Sequence, residues 1–245
     1  MTQFVASNIG ERFMTTHWSV VIRTGHDNSA IVNQALGELC RNYWHPLYAF
    51  VRRQGYSPAD AEDLTQSFLA KLLEKNYLAN VRREKGKFRS FLLMAIKRFL
   101  SHEYQRQHAQ KRGGHKQIVS IDQDVAESRL FLEADRHLEP DVFFERQWAG
   151  ALLERVMLKL SEEYLATGRA KLFDSLHDCL VKDESAQPYA EIAAQLKLTE
   201  PAVKMAVSRL RARYREILRE EIAETVGKRE EIEEEIRYLF ALFNS

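Results

Sequence analysis

Between Val203 and Ile217 the apolar residues Val203, Val207, Leu210, Tyr214 and Ile217 recur at spacings of four, three, four and three. Only a helix gathers residues at that period onto one side. A shorter run just before it, Ile192, Ala193 and Leu196, has the same character. Lys197, Leu198 and Thr199 separate the two, and Thr199 can cap the second helix. Two helices joined by so tight a break form a helix-turn-helix pattern. The face opposite the stripe carries Lys204, Ser208, Arg211 and Arg215, with Arg209 and Arg213 beside it. The apolar side is expected to dock on its own domain, which leaves a cationic side for a polyanion.

That positive charge is part of a larger alternation. Arg82 to Lys116 holds eleven Lys/Arg and two acids, whereas Ser120 to Arg146 holds three Arg and eight acids. Glu200 to Arg219 holds six Lys/Arg and two acids, and Glu220 to Glu235 holds two and eight. The formal net charge is only +1, so the distribution carries the information. Two basic blocks on helices point to nucleic acid more than to evenly solvated faces.

The 245 residues contain 10 Gly and 5 Pro, few enough to favour long helices over a strand-and-turn architecture. Cys40 and Cys179 have no CxxC or histidine-rich ligand spacing around them, so no zinc or other metal site is expected. They read as small buried apolar residues in a reducing compartment. His102, His108 and His115 fall in a basic run and suit phosphates better than a metal. MTQFVASNIGERF lacks a signal-peptide core, and no run is long enough to span a membrane, so a cytoplasmic location is expected. No phosphate-cradling glycine loop, HExxH or GxSxG is present, and His177, Asp178 and Cys179 are consecutive, so they diverge around a helix. The chain reads as a binding protein without cofactor and not as an enzyme.

Along the chain, Thr16 to Arg23 reads as a short helix, and Ser29 can cap another that runs to about Arg53. Leu36, Leu39, Tyr43, Leu47 and Phe50 share a side of it, and Pro46 should kink or split it. Ser57, Pro58 and Asp60 form a strong start for a third helix, with Ala61, Leu64, Phe68 and Leu72 buried. The helix from Phe88 is expected to bury Phe88, Phe91, Ala95 and Phe99, and to stop at Gly113 and Gly114. Helical periodicity returns at Val142 through Phe143, Trp148, Leu152 and Val156, and a helix around Ala170 to Val181 follows. The fold class is all-α: two helical domains, residues 13–113 and 141–226, joined by an acidic linker at 114–140. The second contains the helix-turn-helix, and residues 227–245 form an amphipathic tail.

LCRNYWHPLYAFVRRQGYSPADAEDLTQSFLAKLL, from Leu39, followed by KGKFRSFLLMAIKRFLSHEYQR, from Lys85, resembles the first conserved domain of sigma-70 family sigma factors. Within that family it resembles the extracytoplasmic-function class. The helix-turn-helix then resembles the domain that reads the minus-thirty-five element. The resemblance implies that Asp60, Glu62, Asp63 and Gln66 grip the clamp helices in the largest subunit of core RNA polymerase. It implies minus-ten contacts at Lys97, Arg98, Ser101, His102 and Gln105, together with Asn80, Lys87 and Arg89. The loop from Asn80 to Lys87 would capture a flipped base. Minus-thirty-five contacts would come from Thr199, Glu200, Lys204 and Ser208 near base edges, and from Arg209, Arg211, Arg213 and Arg215 at phosphates. The acidic linker would thread the channel that later holds RNA. Expected partners are core RNA polymerase and promoter DNA, with an anti-sigma factor as an optional third and no membrane. The alternative is a helix-turn-helix regulator that acts without replacing the sigma subunit; an adaptor for acidic proteins is more remote.

Two departures from the family pattern stand out. Lys197 occupies the turn position where glycine is common, and a left-handed backbone there would cost about 1 kcal/mol. Met205-Ala206 follows Val203-Lys204 where Ser-Arg is usual. In the tail, Ile232, Ile236, Leu239, Phe240 and Phe243 read as one apolar face. Packing on its own domain is one reading; masking of Arg209 to Arg219 by the adjacent acids is the other.

Overall fold

Scarce glycine and repeated apolar stripes give helices throughout the part of the chain that the computed structural model describes, residues 29–74, 87–110, 138–181 and 189–244. In order these are α1 (Ser29–Arg53), α2 (Pro58–Glu74), α3 (Phe88–Gln110), α4 (Pro140–Ala166), α5 (Ala170–Leu176), α6 (Asp178–Val181), α7 (Tyr189–Leu196) and α8 (Glu200–Ala223). A 3-10 turn, Arg229–Glu231, leads into α9 (Ile232–Asn244). The expected helix at Thr16 to Arg23, the stop at Gly113 and Gly114, and the acidic linker proper lie outside the described residues.

Pro46 lies within α1, which continues through it. The residues around it explain this: Tyr43, Leu47, Tyr48, Ala49, Phe50 and Val51 are all fully buried. Burial of each large side chain contributes roughly 1.5–3 kcal/mol, enough together to hold a proline in a helix interior. Gly55, at φ +91, turns the chain into α2. Ser57 Oγ then accepts the Asp60 amide at 3.2 Å and donates to the Asp60 carboxylate at 2.6 Å, so the predicted cap is formed. Ala61, Leu64, Phe68 and Leu72 are buried as expected.

α3 is rotated from the predicted stripe. Phe88 is buried, but Phe91, Ala95 and Phe99 are only half-buried, and Leu92, Leu93, Ile96 and Leu100 face inward. In α4, Phe143, Trp148, Leu152 and Val156 are buried and Val142 is exposed. The expected single helix at Ala170 to Val181 breaks at His177 into α5 and α6.

The chain divides into two compact units, one formed by residues 1–151 and 223–245, the other by residues 152–222. This differs from the sequence-based bounds. The tail belongs with the amino-terminal unit, because Phe88 N–H donates to Thr225 O and the Arg89 and Lys87 side chains bind Glu235. The start of α4 joins it through the edge-to-face contact of Phe50 with Phe144.

In the second unit α7 ends in a Schellman turn. Leu198 N–H donates to Ala193 O at 2.9 Å and Lys197 N–H to Ala194 O at 3.4 Å. That geometry requires a left-handed residue at Lys197, and its φ is 54. Thr199 Oγ1 accepts the Ala202 amide at 3.4 Å at the start of α8. Val203, Val207, Leu210 and Ile217 are buried, with Tyr214 half-buried on the same side.

Replacing Lys197 by Gly removes about 1 kcal/mol of left-handed strain and gives back part of it as unfolded-state entropy. We expect a net stabilisation of roughly 0.5 kcal/mol, read as a higher urea midpoint. Lys197→Val should lower the midpoint.

Candidate nucleic-acid and polymerase interfaces

On α2, Asp60, Asp63 and Gln66 are exposed and Glu62 is half-exposed. Asp60 is engaged by its own helix cap, and Gln66 Nε2 donates to Glu62 Oε1 at 3.0 Å. The four therefore form an acidic, hydrogen-bonding strip at the start of α2. Its carboxylates also suit the positive end of the helix dipole.

On α3, Lys97, Arg98, Ser101, His102 and Gln105 are all exposed, one turn after another. Lys97 Nζ is bound to Asp141 at 2.6 Å. Arg98 has no partner among the described residues. The helix is fixed from below by Glu103, which is buried and pairs with Lys71 at 2.6 Å and Arg106 at 3.0 Å. The Lys71 ammonium also lies 4.6 Å from the Phe99 ring centre.

The amino end of α3 differs from the expectation. Arg89, assigned to the minus-ten contacts, is buried at 2% exposure. Its Nη1 donates to Glu235 Oε1, and its Nη2 lies 3.6 Å from Glu145 Oε2. The guanidinium is stacked over Trp148 at 4.4 Å and near Tyr238 at 5.2 Å. Arg89 cannot reach nucleic acid from this position. Lys87 sits 2.5 Å from Glu235 Oε2, an ionic contact rather than an aligned hydrogen bond, and keeps a third of its side chain exposed. The Tyr238 hydroxyl donates to Glu145, and burial together with that bond pushes the phenol up to about 12. Asn80 lies outside the described residues.

On α8, Thr199, Glu200, Lys204, Ser208, Arg209 and Arg215 are exposed. Lys204 is paired with Glu200 at 2.9 Å, one helical turn back. Arg209 and Arg215 have no partner among the described residues. Arg211 and Arg213 are used differently from the expectation. Arg211 donates twice to the Cys179 carbonyl, at 2.8 and 3.2 Å, and so ties α8 to α6. Arg213 grips Glu163 with two bonds, at 2.7 and 2.8 Å, and also meets Glu216 and Glu220. Both lie on the flank of the buried stripe, where short acidic or carbonyl partners are in reach. Met205 is 56% exposed between Lys204 and Arg209.

Charge pairing is what sequence reasoning missed. Glu145, Glu163, Glu221 and Glu235 each hold cations from distant parts of the chain; Glu221, for example, binds Arg155 and Lys159. Two of the tail acids, Glu231 and Glu235, have partners within the amino-terminal unit. Glu231 accepts the Gly227 and Lys228 amides at 3.1 and 3.3 Å, which starts the tail helix, and Glu235 goes to Lys87 and Arg89.

Among the described residues, no His/Cys/Asp/Glu cluster could hold a metal ion, and no helix is long and apolar enough to cross a membrane. Burial raises both the Cys40 and the Cys179 thiol.

A helical unit with an acidic strip on α2 and an exposed polar and basic face on α3 is what residues 39–110 present. Those residues match the family model described as Sigma-70 region 2, and the match supports a sigma-70 family sigma factor. No curated protein matches the chain, and no solved structure does.

The Arg213 hydrogen bonds hold the Glu163 carboxyl below its ordinary value of 4.5. The pair therefore stabilises the second unit fully above that pH, and its contribution is lost as pH falls through the lowered value. Urea midpoints measured between pH 6 and pH 3 should fall less steeply in Glu163→Gln than in the unaltered chain.

Proposed function

We propose that this chain is a sigma factor of the extracytoplasmic-function class. It binds core RNA polymerase, directs it to promoters, helps open the minus-ten region and leaves after initiation. The observation that carries this reading is the Sigma-70 region 2 match over residues 39–110. The exposed α3 face within the matched residues, with Arg98 uncommitted, agrees with it.

In this reading the α2 strip of Asp60, Glu62, Asp63 and Gln66 meets the polymerase clamp helices. Lys97, Arg98, Ser101, His102 and Gln105 meet the minus-ten strand. Opening duplex DNA costs a few kcal/mol per unstacked step, and a basic face that tracks the released strand offsets that cost. The α7–α8 pair acts as a helix-turn-helix at the minus-thirty-five element. The start of α8 faces base edges through Glu200, Lys204 and Ser208, while Arg209 and Arg215 take phosphates. Both arginines are exposed and have no partner among the described residues, which supports that division of labour. Asp141 leaves Lys97 when a phosphate replaces it. The chain contributes no chemistry of its own; the polymerase makes the phosphodiester bonds.

The deciding experiment combines core polymerase, this protein and a promoter pool, scored for run-off transcript. Transcript that requires the protein is expected. No transcript with no core binding would overturn the reading, and duplex binding without core would favour a helix-turn-helix regulator. With a bound promoter in hand, the slope of log affinity against log salt should shrink by about 1 for Arg209→Ala and again for Arg215→Ala. Arg213→Ala should leave the slope unchanged, because its guanidinium is already held by Glu163.

A further inference from the structure

The inner face of α9 is formed by Ile232, Glu235, Leu239 and Leu242, all buried. Three of these residues are apolar, and the fourth is a carboxylate with 0% exposure. On the same helix Phe240 and Phe243 are turned outward and exposed. A helix selected only to cover a core would place phenylalanine inside and glutamate outside. The buried carboxylate therefore has a purpose other than packing, and the purpose is visible in what it holds.

Both cations on Glu235 come from the amino end of α3. Lys87 immediately precedes the helix, and its carbonyl accepts the Ser90 and Phe91 amides at 3.1 and 3.3 Å. Arg89 is the second helical residue. The backbone is fixed from the same direction, since Phe88 N–H donates to Thr225 O at 3.4 Å. Arg146 Nε donates to Leu242 O at 2.6 Å and anchors the far end of α9. Arg89 Nε and Trp148 Nε1 are buried with no hydrogen-bond partner among the described residues. Those unpaired donors are a cost that a simple apolar core at this place would avoid.

We propose that Glu235 is a positioning residue for nucleic-acid binding. It fixes Lys87 and the direction of α3, so residues 223–245 are a working part of the unit that meets the minus-ten strand. The inference rests on the promoter reading for its DNA half only. Because α3 is one continuous helix, fixing its first turn fixes the line of Lys97, Arg98, Ser101 and Gln105 further along. Lys87, held at its inner side but still partly exposed, presents a charge with its position already set.

The test uses the full chain. One variant is Glu235→Gln; a second combines Arg89→Met with Glu235→Leu. Replacing a buried ion pair by apolar residues of similar volume commonly preserves stability, so the double variant separates positioning from packing. Three readouts are taken: thermal midpoint, hydrogen exchange at the Ser90 and Phe91 amides, and affinity with core polymerase for forked DNA with a single-stranded minus-ten segment. We expect exchange at those amides to rise about tenfold in Glu235→Gln and affinity for the forked DNA to fall about tenfold. The double variant should keep the midpoint of the unaltered protein and still lose the DNA affinity, with core binding unchanged in both.

A double variant that binds forked DNA like the unaltered chain would overturn the proposal, since the pair would then serve packing alone. Tighter binding by either variant would also overturn it, because Glu235 would then shield Lys87. Unchanged exchange in Glu235→Gln would do the same. If the unaltered chain, with core, bound no forked DNA, the promoter reading and the DNA half of the proposal would both fall. The exchange measurement, made without DNA or polymerase, keeps that failure distinct.

Discussion

Two cations at the start of a helix oppose its dipole. α3 begins with Lys87 and Arg89 and has no acid in its first turn. The unsatisfied amides there already carry partial positive charge, so the helix needs anions from elsewhere. Glu235 and Glu145 supply them. Bringing charges out of water costs several kcal/mol per ion, and only close geometry with further contacts recovers it. Here the guanidinium faces two carboxylates and is stacked between Trp148 and Tyr238. The network is neutral as a whole. Loss of one member would cost about 3–5 kcal/mol, because an unpaired buried charge would remain. The end of the chain therefore belongs to the amino-terminal unit, and the start of α3 depends on a residue 146 positions away.

The same pairing changes what the basic blocks mean. Net charge per block measures potential at a distance, which steers encounter. Contact at a phosphate needs a cation whose donors are unoccupied. Arg89, Arg211 and Arg213 are held by the protein, and Lys97 and Lys204 have exposed carboxylate partners that a phosphate can displace. Surface pairs of the latter kind are worth at most about 1 kcal/mol. Arg98, Arg209 and Arg215 have no partner among the described residues to exchange. In the proposed reading the contact surface is therefore smaller than the composition suggests, and it lies at defined phases of α3 and α8.

Much of the fold was legible because local chemistry decides it. Ser57, Pro58 and Asp60 start α2 by satisfying its first amides, and no distant residue is needed. The α8 stripe holds because its other side is polar, so only one phase can be buried. Lys197 stood out only through the resemblance, because glycine is common at its place in the turn, and its φ of 54 is the left-handed backbone that such a glycine would adopt. Where reasoning failed, several phases were apolar or the partner was remote. From Phe91 to Ile96 every residue of α3 is apolar, so periodicity alone could not choose between Phe91-Ala95-Phe99 and Leu92-Ile96-Leu100. In the tail, Phe240 and Phe243 outrank Glu235 on any hydropathy scale, and only the presence of Arg89 reverses the choice.

Arg89 shows where a usable signal existed. Counting back from the buried Leu100, Ile96 and Leu92 in steps of four and three reaches Arg89, whereas Lys97, Arg98, Ser101 and Gln105 fall on other phases. The resemblance made Arg89 a DNA contact; phase makes it a core residue. Its type then has a separate explanation. A guanidinium can offer parallel donors to one carboxylate, reach a second, and lie flat on an indole, while an ammonium is a compact and strongly hydrated charge. Lysine at this position would keep the charge but lose the fork and the stacking. The tail would keep its apolar contacts and the Arg146 bond to Leu242, but Glu235 would lose the forked and stacked partner that sets its position beside Lys87.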